Sequence, residues 1–477
     1  MLRPGQAIDG FRLVEKLHKG GMAHIWKATR DDMSPPAILK IPIVRDGDDA
    51  AAIVGFEMEQ MILPLLRGRC APRFLGTGDF DRLPYIAMEM IDGASLLGRV
   101  DHMPLPVEEV AEIGAGVARV LAELHSQNVI HFDIKPSNIM RRMDGSFALI
   151  DYGLARHDLL PDLLAEEFRV PLGTGPYLSP EQVLRDRSDP RSDIFSLGVV
   201  LYYLLTGVRP FGYPRKRAAL AERLWRDPEP PCSLNPACPP WLQEAILRCL
   251  EPEADQRYPT AAQLALDLAN PDQIELTERA GKFSRDGWLK ARRRWWGQKF
   301  APMRRPRSMA ARRAAAPIVL AAVDLDPSMM AASDHLRGTL ARIMATAPGA
   351  RLACVNVIKT SRLRLDTAQD EMGRNLHVRR LVELRHWAEK LRLPESKLTV
   401  HVLEASDPAQ SLLAFAAENH VDQIVICACA PNALRGPIGP VATRVTTQAH
   451  CTVTLVRPPE TPPADGAAME PDQGLGL

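Results

Sequence analysis

The stretch from His131 to Gly153 constrains this chain more than any other. His131-Phe132-Asp133-Ile134-Lys135-Pro136-Ser137-Asn138 leads, through the short apolar run Phe147-Ala148-Leu149-Ile150, to Asp151-Tyr152-Gly153. An isolated H-x-D is no more than a turn between core segments. An Asp and an Asn five apart, followed thirteen residues on by Asp-x-Gly, is a spacing that packing alone has no reason to produce. It suits phosphoryl transfer. Asp133 can orient a hydroxyl nucleophile and accept its proton, Asn138 and Asp151 offer the oxygen ligands that magnesium prefers, and Lys135 can neutralise charge on the moving group.

From about Phe11 to Leu268 these and further motifs follow one another in an order that resembles a eukaryotic-like Ser/Thr protein kinase domain of the kind found in bacteria. The resemblance implies an α+β bilobal kinase fold over 11–270, ATP and Mg2+ as cofactors, and protein substrates phosphorylated on Ser or Thr. Near the N-terminus, Leu17-His18-Lys19-Gly20-Gly21-Met22-Ala23 reads as a hairpin closing over phosphates, where residues without Cβ let backbone N–H groups approach. It is poor in glycine. Of the family's G-x-G-x-x-G only the middle position, Gly20, is kept; His18 and Ala23 replace the outer two, and Gly21 adds local freedom.

Lys40 lies within the apolar run Ala37-Ile38-Leu39-Lys40-Ile41, and a buried ammonium needs an anion. By resemblance it takes two, the nucleotide's α- and β-phosphates and a glutamate on the following helix. Glu59 stands at the matching place, with Glu57 as its competitor. Tyr85 to Gly93 resembles the hinge between lobes, whose backbone at Glu89 and Met90 would bind adenine. Met88 would guard the deep end of the pocket, with Leu17, Ile25, Ile38 and Met140 against the base; plain core packing accounts for the same apolar residues. Thr174 matches the threonine that touches the catalytic aspartate and lysine, Arg257 the partner of Glu181, and Asp193 the residue anchoring the catalytic loop.

Phe132 departs from the family. Many relatives carry arginine there, which pairs with a phosphorylated residue of the activation segment. From Asp151 to Gly173 the segment also contains no Ser or Thr, so activity is expected not to depend on phosphate in this segment. A catalytically weak pseudokinase scaffold is the alternative reading of Phe132 and the missing glycines.

A chain of 477 residues is too long for one core, and two or three domains are expected. The net charge of +1 conceals an asymmetry: residues 282–313 carry twelve Lys or Arg against the single acidic Asp286, together with three of the seven tryptophans. Residues 271–315 therefore read as a linker. Its interleaved cations and indoles suit an anionic membrane surface or nucleic acid, and equally a linker whose tryptophans fold onto the large lobe; the first two uses would make the chain an adaptor for acidic surfaces. No signal segment and no run of about 18 apolar residues is present, and a cytoplasmic or peripheral location is expected. Eight scattered cysteines without metal spacing read as buried thiols in a reducing compartment.

Beyond Ala316 strands and helices alternate. Five apolar strands, starting near Pro317, Ala350, Leu398, Gln423 and Cys451, with crossover helices between them predict an α/β doubly wound parallel sheet over 316–458. This part resembles the universal stress protein domain, including Asp324 after the first strand. The family's ATP-binding glycine signature is broken by Cys427-Ala428-Cys429-Ala430-Pro431 and by Pro440 after Gly439, so a stress-sensing or dimerisation module without tight ATP binding, and a homodimer through it, are the expectations. Residues 459–477 read as a polar, disordered tail.

Overall fold

Strand-period alternation at the N-terminus builds an antiparallel sheet with two different faces. The computed structural model describes residues 2–19, 23–32, 36–43, 50–78, 83–167, 170–214, 216–287, 294, 296, 316–360, 376–394, 397–428 and 438–457. Strands β1 (Ala7–Ile8), β2 (Phe11–Lys19), β3 (Ala23–Thr29), β4 (Ala37–Pro42), β5 (Phe74–Gly78) and β6 (Tyr85–Glu89) are ordered β1-β2-β3-β4-β6-β5. Leu13, Trp26, Leu39, Ile41 and Tyr85 bury one face in a small core of its own. Period two then turns Ile38 and Lys40 to the other face, toward the second lobe. Helix α1 (Ala50–Ile62) crosses behind that face.

The larger lobe is helical because its segments repeat apolar residues every three or four positions. In α2 (Val107–Ser126), Val110, Ile113, Val117, Leu121 and Leu124 form one buried stripe, packed on α5 (Arg191–Thr206) and α9 (Ala261–Ala269). Helix α5 is buried on every side and ends at Gly207, whose φ of 74° is the left-handed cap that a residue without Cβ adopts freely. Short strands β7 (Gly93–Ser95), β8 (Val129–Ile130), β9 (Ile139–Arg142), β10 (Phe147–Leu149) and β11 (Arg156–His157) frame the catalytic loop. The activation segment carries the single-turn helix α3 (Leu163–Glu167), and α4 (Pro180–Val183) closes it. Helices α6 (Arg217–Ala221), α7 (Pro231–Leu234) and α8 (Pro240–Cys249) complete the lobe.

The C-terminal part is the doubly wound sheet expected. Strands β12 (Ile318–Ala322), β13 (Arg351–Lys359), β14 (Leu398–Ala405), β15 (Gln423–Cys427) and β16 (Thr452–Val456) are all parallel in the order β14-β13-β12-β15-β16. Helices α10 (Met330–Thr346) and α11 (Leu376–Glu389) cover one face through Leu336, Leu340, Leu384 and Trp387. Helices α12 (Pro408–Glu418) and α13 (Pro440–Gln448) cover the other through Leu412, Ala416 and Val445, and that apolar layer runs on into the kinase-like lobe.

The two parts are therefore docked, which the sequence does not announce. Asp267 of α9 pairs with Arg351 of β13, both nearly fully buried. Gln263 donates to the carbonyls of Ala316 and Gly349 at 3.3 and 3.1 Å. Gln273 exchanges hydrogen bonds with the backbone of Val400 at 2.8 and 3.0 Å, so a side-chain amide takes the place of a neighbouring strand on the β14 edge.

Candidate active site

The catalytic loop begins from an anchor beneath it. Asp193, fully buried at the start of α5, accepts the amides of His131 and Phe132 at 2.9 and 2.8 Å and bonds His125 of α2 at 2.9 Å. Backbone strain accompanies this grip. Phe132 and Asp151 have φ of 61° and 68°, a region unfavourable to residues with a Cβ, and such conformations persist only where the surroundings over-determine them.

Asp133 is the hub of the site. Lys135 Nζ donates to its carboxylate at 2.6 Å, the Thr174 hydroxyl at 2.8 Å and the Asn138 amide at 3.0 Å. Lys135 also donates to the Thr174 hydroxyl at 3.1 Å, closing a triangle between the catalytic loop and the far end of the activation segment. Asn138 donates a second bond to the Asp133 carbonyl at 3.0 Å, which fixes the loop's turn.

Across the cleft, Lys40 reaches two carboxylates, Glu59 at 2.5 Å and Asp151 at 2.7 Å. Burial by itself would lower the Lys40 ammonium's pKa, but the two carboxylates outweigh it and hold the group charged well above its usual value. The Lys40 charge pulls Asp151 down to about 2 against the effect of burial. Burial, with Asp151 adding to it, pushes Glu59 up against the pull of Lys40. Glu59 is 1% exposed and also accepts the Tyr152 amide at 3.3 Å, and among the described residues no ion pair joins Glu57 to Lys40. Glu59 is thus the partner of Lys40.

Cross-strand partners point to the same side of a sheet, so Ile25, Lys40 and Ile86 form one row of the cleft ceiling and Ile38 with Met88 the next. Met140 lies on β9 opposite. Leu17 is 44% exposed on β2, and Gly20 and Gly21 lie outside the described residues. The Met90 amide donates to the Pro36 carbonyl at 3.2 Å, because β4 extends its pairing by one step there, so this N–H is already committed within the protein.

Several contributors were not found from sequence. Gln182 donates to the Phe132 carbonyl at 2.8 Å and the Leu172 carbonyl at 3.1 Å, and Arg187 stacks over the Phe132 ring at 4.7 Å. The hydrophilic run around Arg187 gave no signal for this. The expected Arg257–Glu181 pair is present at 2.8 Å, with Arg257 buried.

Elsewhere, Pro440 opens α13 and removes one of its free N–H groups beside the cavity lined by Asp324, Asn356 and Gly439. Residues 429–431 lie outside the described residues, as does most of the basic segment. The described cations of that segment are paired with acidic residues: Lys282 meets Asp227 at 2.7 Å, Arg285 meets Glu229 at 3.0 Å, and Arg294 meets Asp286 at 3.2 Å. Among the described residues no helix is long and apolar enough to cross a membrane, and every cysteine is a free thiol.

The protein kinase domain family matches residues 11–267, and the universal stress protein family matches 316–457. Serine/threonine-protein kinase PknB of Mycobacterium leprae is 31% identical over 273 residues, 56% of this chain and 44% of that one. Serine/threonine-protein kinase PknL of Mycobacterium tuberculosis is 30% identical over 274 residues, 57% of this chain and 68% of its own length. The chain thus spans less than half the length of the PknB relative. The crystal structure of the Mycobacterium tuberculosis PknI kinase domain aligns over 57% of this chain and all of its own, with 20% identity and a TM-score of 0.45. The chain belongs to the protein kinase domain family through residues 11–267, and behind that domain it carries a member of the universal stress protein family.

Proposed function

We propose that this chain is an ATP- and Mg2+-dependent Ser/Thr protein kinase whose activation segment needs no phosphate. The observation that carries the reading is the Asp133 carboxylate, held by Lys135, Asn138 and Thr174 beside an intact Lys40–Glu59 pair. In this reading the domains are kinase 11–270, linker 271–315, stress-protein-like 316–458 and tail 459–477.

Bound ATP supplies the phosphoryl group, and Mg2+ offsets its charge. Lys40 binds the α- and β-phosphates, with Glu59 orienting its ammonium. Asp151 and Asn138 would hold the metal, and the depressed pKa keeps Asp151 ionised as such a ligand must be. Asp133 orients the acceptor hydroxyl and takes its proton, Lys135 steadies the charge that develops, and Thr174 positions both. Positioning and electrostatics supply nearly all the rate, so each residue acts by where it is held.

The C-terminal domain has a more limited reading, dimerisation or sensing. Of its two edge strands, β14 is engaged by Gln273, and β16 is the edge that a second copy would pair with.

The test is phosphate transfer from labelled ATP with Mg2+ to a generic acceptor protein, in wild type, Asp133→Ala and Lys40→Ala. Transfer by wild type and its loss in both variants, each of which still unfolds in one cooperative transition, is the expected result. Binding of ATP without transfer by wild type would favour a scaffold instead.

A further inference from the structure

The position that relatives fill with arginine before the catalytic aspartate is Phe132, yet a guanidinium is present there. It comes from Arg187, in the turn after α4. Its Cζ lies 4.7 Å from the centroid of the Phe132 ring, its Nε donates to Asp162 at 2.8 Å, and its Nη2 donates to the Leu154 carbonyl at 3.0 Å. One side chain therefore touches the catalytic loop, the start of the activation segment and its middle. Arg187 is itself held, since Arg156 Nη1 donates to its carbonyl at 2.7 Å. Arg156 also flanks Asp158 at 3.5 Å and Asp162 at 3.9 Å.

Asp162 works in two directions. One carboxylate oxygen accepts Arg187, and the other accepts the Ala165 amide at 3.3 Å, capping α3. Leu164 of α3 is fully buried, and α3 packs against α1, the helix that carries Glu59. The Asp162 and Arg187 side chains are 13% and 9% exposed, so solvent screens the pair little. At the far end, Gln182 ties the segment at Leu172 to the Phe132 carbonyl.

We propose that Asp162 and Arg187 form a permanent clamp that holds the activation segment against the catalytic loop, a genetically encoded carboxylate doing what a phosphate on this segment would otherwise do. Both are positioning residues: they act through Phe132 and α3, and neither meets the reacting atoms. The clamp explains how Phe132 keeps its positive φ. Its N–H is bound by Asp193, its carbonyl by Gln182, and its ring is covered by Arg187. A phosphate would bring more charge than the single negative charge of Asp162, but it can be removed. Control of such an enzyme must therefore enter elsewhere than through this segment.

The inference rests on the kinase reading above. Its test compares wild type, Asp162→Asn, Asp162→Glu, Arg187→Gln and the Asp162→Asn/Arg187→Gln pair in the full-length chain. Each is measured for transfer to the acceptor protein and for protease cleavage within the activation segment, before and after treatment with a protein phosphatase. Wild type should be phosphatase-insensitive and protected. Asp162→Asn and Arg187→Gln should each lower kcat about 10- to 100-fold with KM for ATP changed less than about twofold, and the pair should be no worse than either alone. Asp162→Glu should recover most of the activity. Wild-type kcat and protection in Asp162→Asn would overturn the clamp, as would full additivity of the two losses. If wild type transfers no phosphate, the kinase reading fails by itself. Proteolysis then decides the clamp alone: exposure of the segment in Asp162→Asn sustains it, and continued protection removes it.

Discussion

The backbone of Gly55 in α1 rests on the carbonyl of Gly153 in the Asp-Tyr-Gly turn: a Cβ at 55 would stand 2.9 Å from that oxygen. Glycine within a helix costs roughly 1 kcal/mol relative to alanine, so its presence there opposes local propensity. What it permits is the close approach of the helix that carries Glu59 to the turn that carries Asp151, and both carboxylates then reach Lys40.

Gly55→Ala tests that relationship. The added methyl meets backbone and cannot rotate away, so α1 must move and Glu59 with it. Transfer is expected to fall about tenfold or more, while stability changes by less than about 1 kcal/mol because helix propensity offsets the contact. Steady-state kinetics and thermal unfolding on the same variant check it; unchanged kinetics would show that the close approach has no catalytic consequence.

The buried pair Asp267–Arg351 predicts how firmly the two domains are joined. Arg351→Met leaves a buried carboxylate without its cation, and a loss of about 3–5 kcal/mol is expected. Adding Asp267→Leu should restore most of it, since two apolar groups need no partner. Urea unfolding of the single and double variants measures both. A single variant as stable as wild type would mean that the interface opens in solution.

His401, on β14, predicts an acid sensitivity. Its ring packs against Phe415 with centroids 4.9 Å apart, and its buried Nε2 has no partner among the described residues. Burial, assisted by the nearby Arg351 charge, lowers its pKa from 6.5 to about 4. The folded-state value is the depressed one, so the unfolded chain takes up the proton first as pH falls. Stability is then full above pH 6.5 and is lost progressively toward pH 4, by about 3 kcal/mol in all. The difference in urea midpoint between wild type and His401→Gln, followed from pH 7.5 to 4, should change in that window; parallel profiles would falsify it.

The catalytic constellation was legible in the sequence because it is local. Asp133, Lys135 and Asn138 share one loop, Asp151 follows a short strand, and chemistry sets their spacing directly. The same holds for the period-two strand carrying Lys40 and for the alternating strands and helices behind Ala316, where a single face per element has to be apolar. What only the tertiary structure decided depends on residues far apart in the chain. The approach of Gly55 to Gly153, the filling of the arginine position by Arg187, the commitment of the Met90 amide to Pro36 and the docking of α9 on β13 each join segments whose sequences are individually unremarkable. Periodicity tells which side of an element is buried. It carries no information on what that side is buried against, because shape and charge complementarity between distant segments exist only once both have folded.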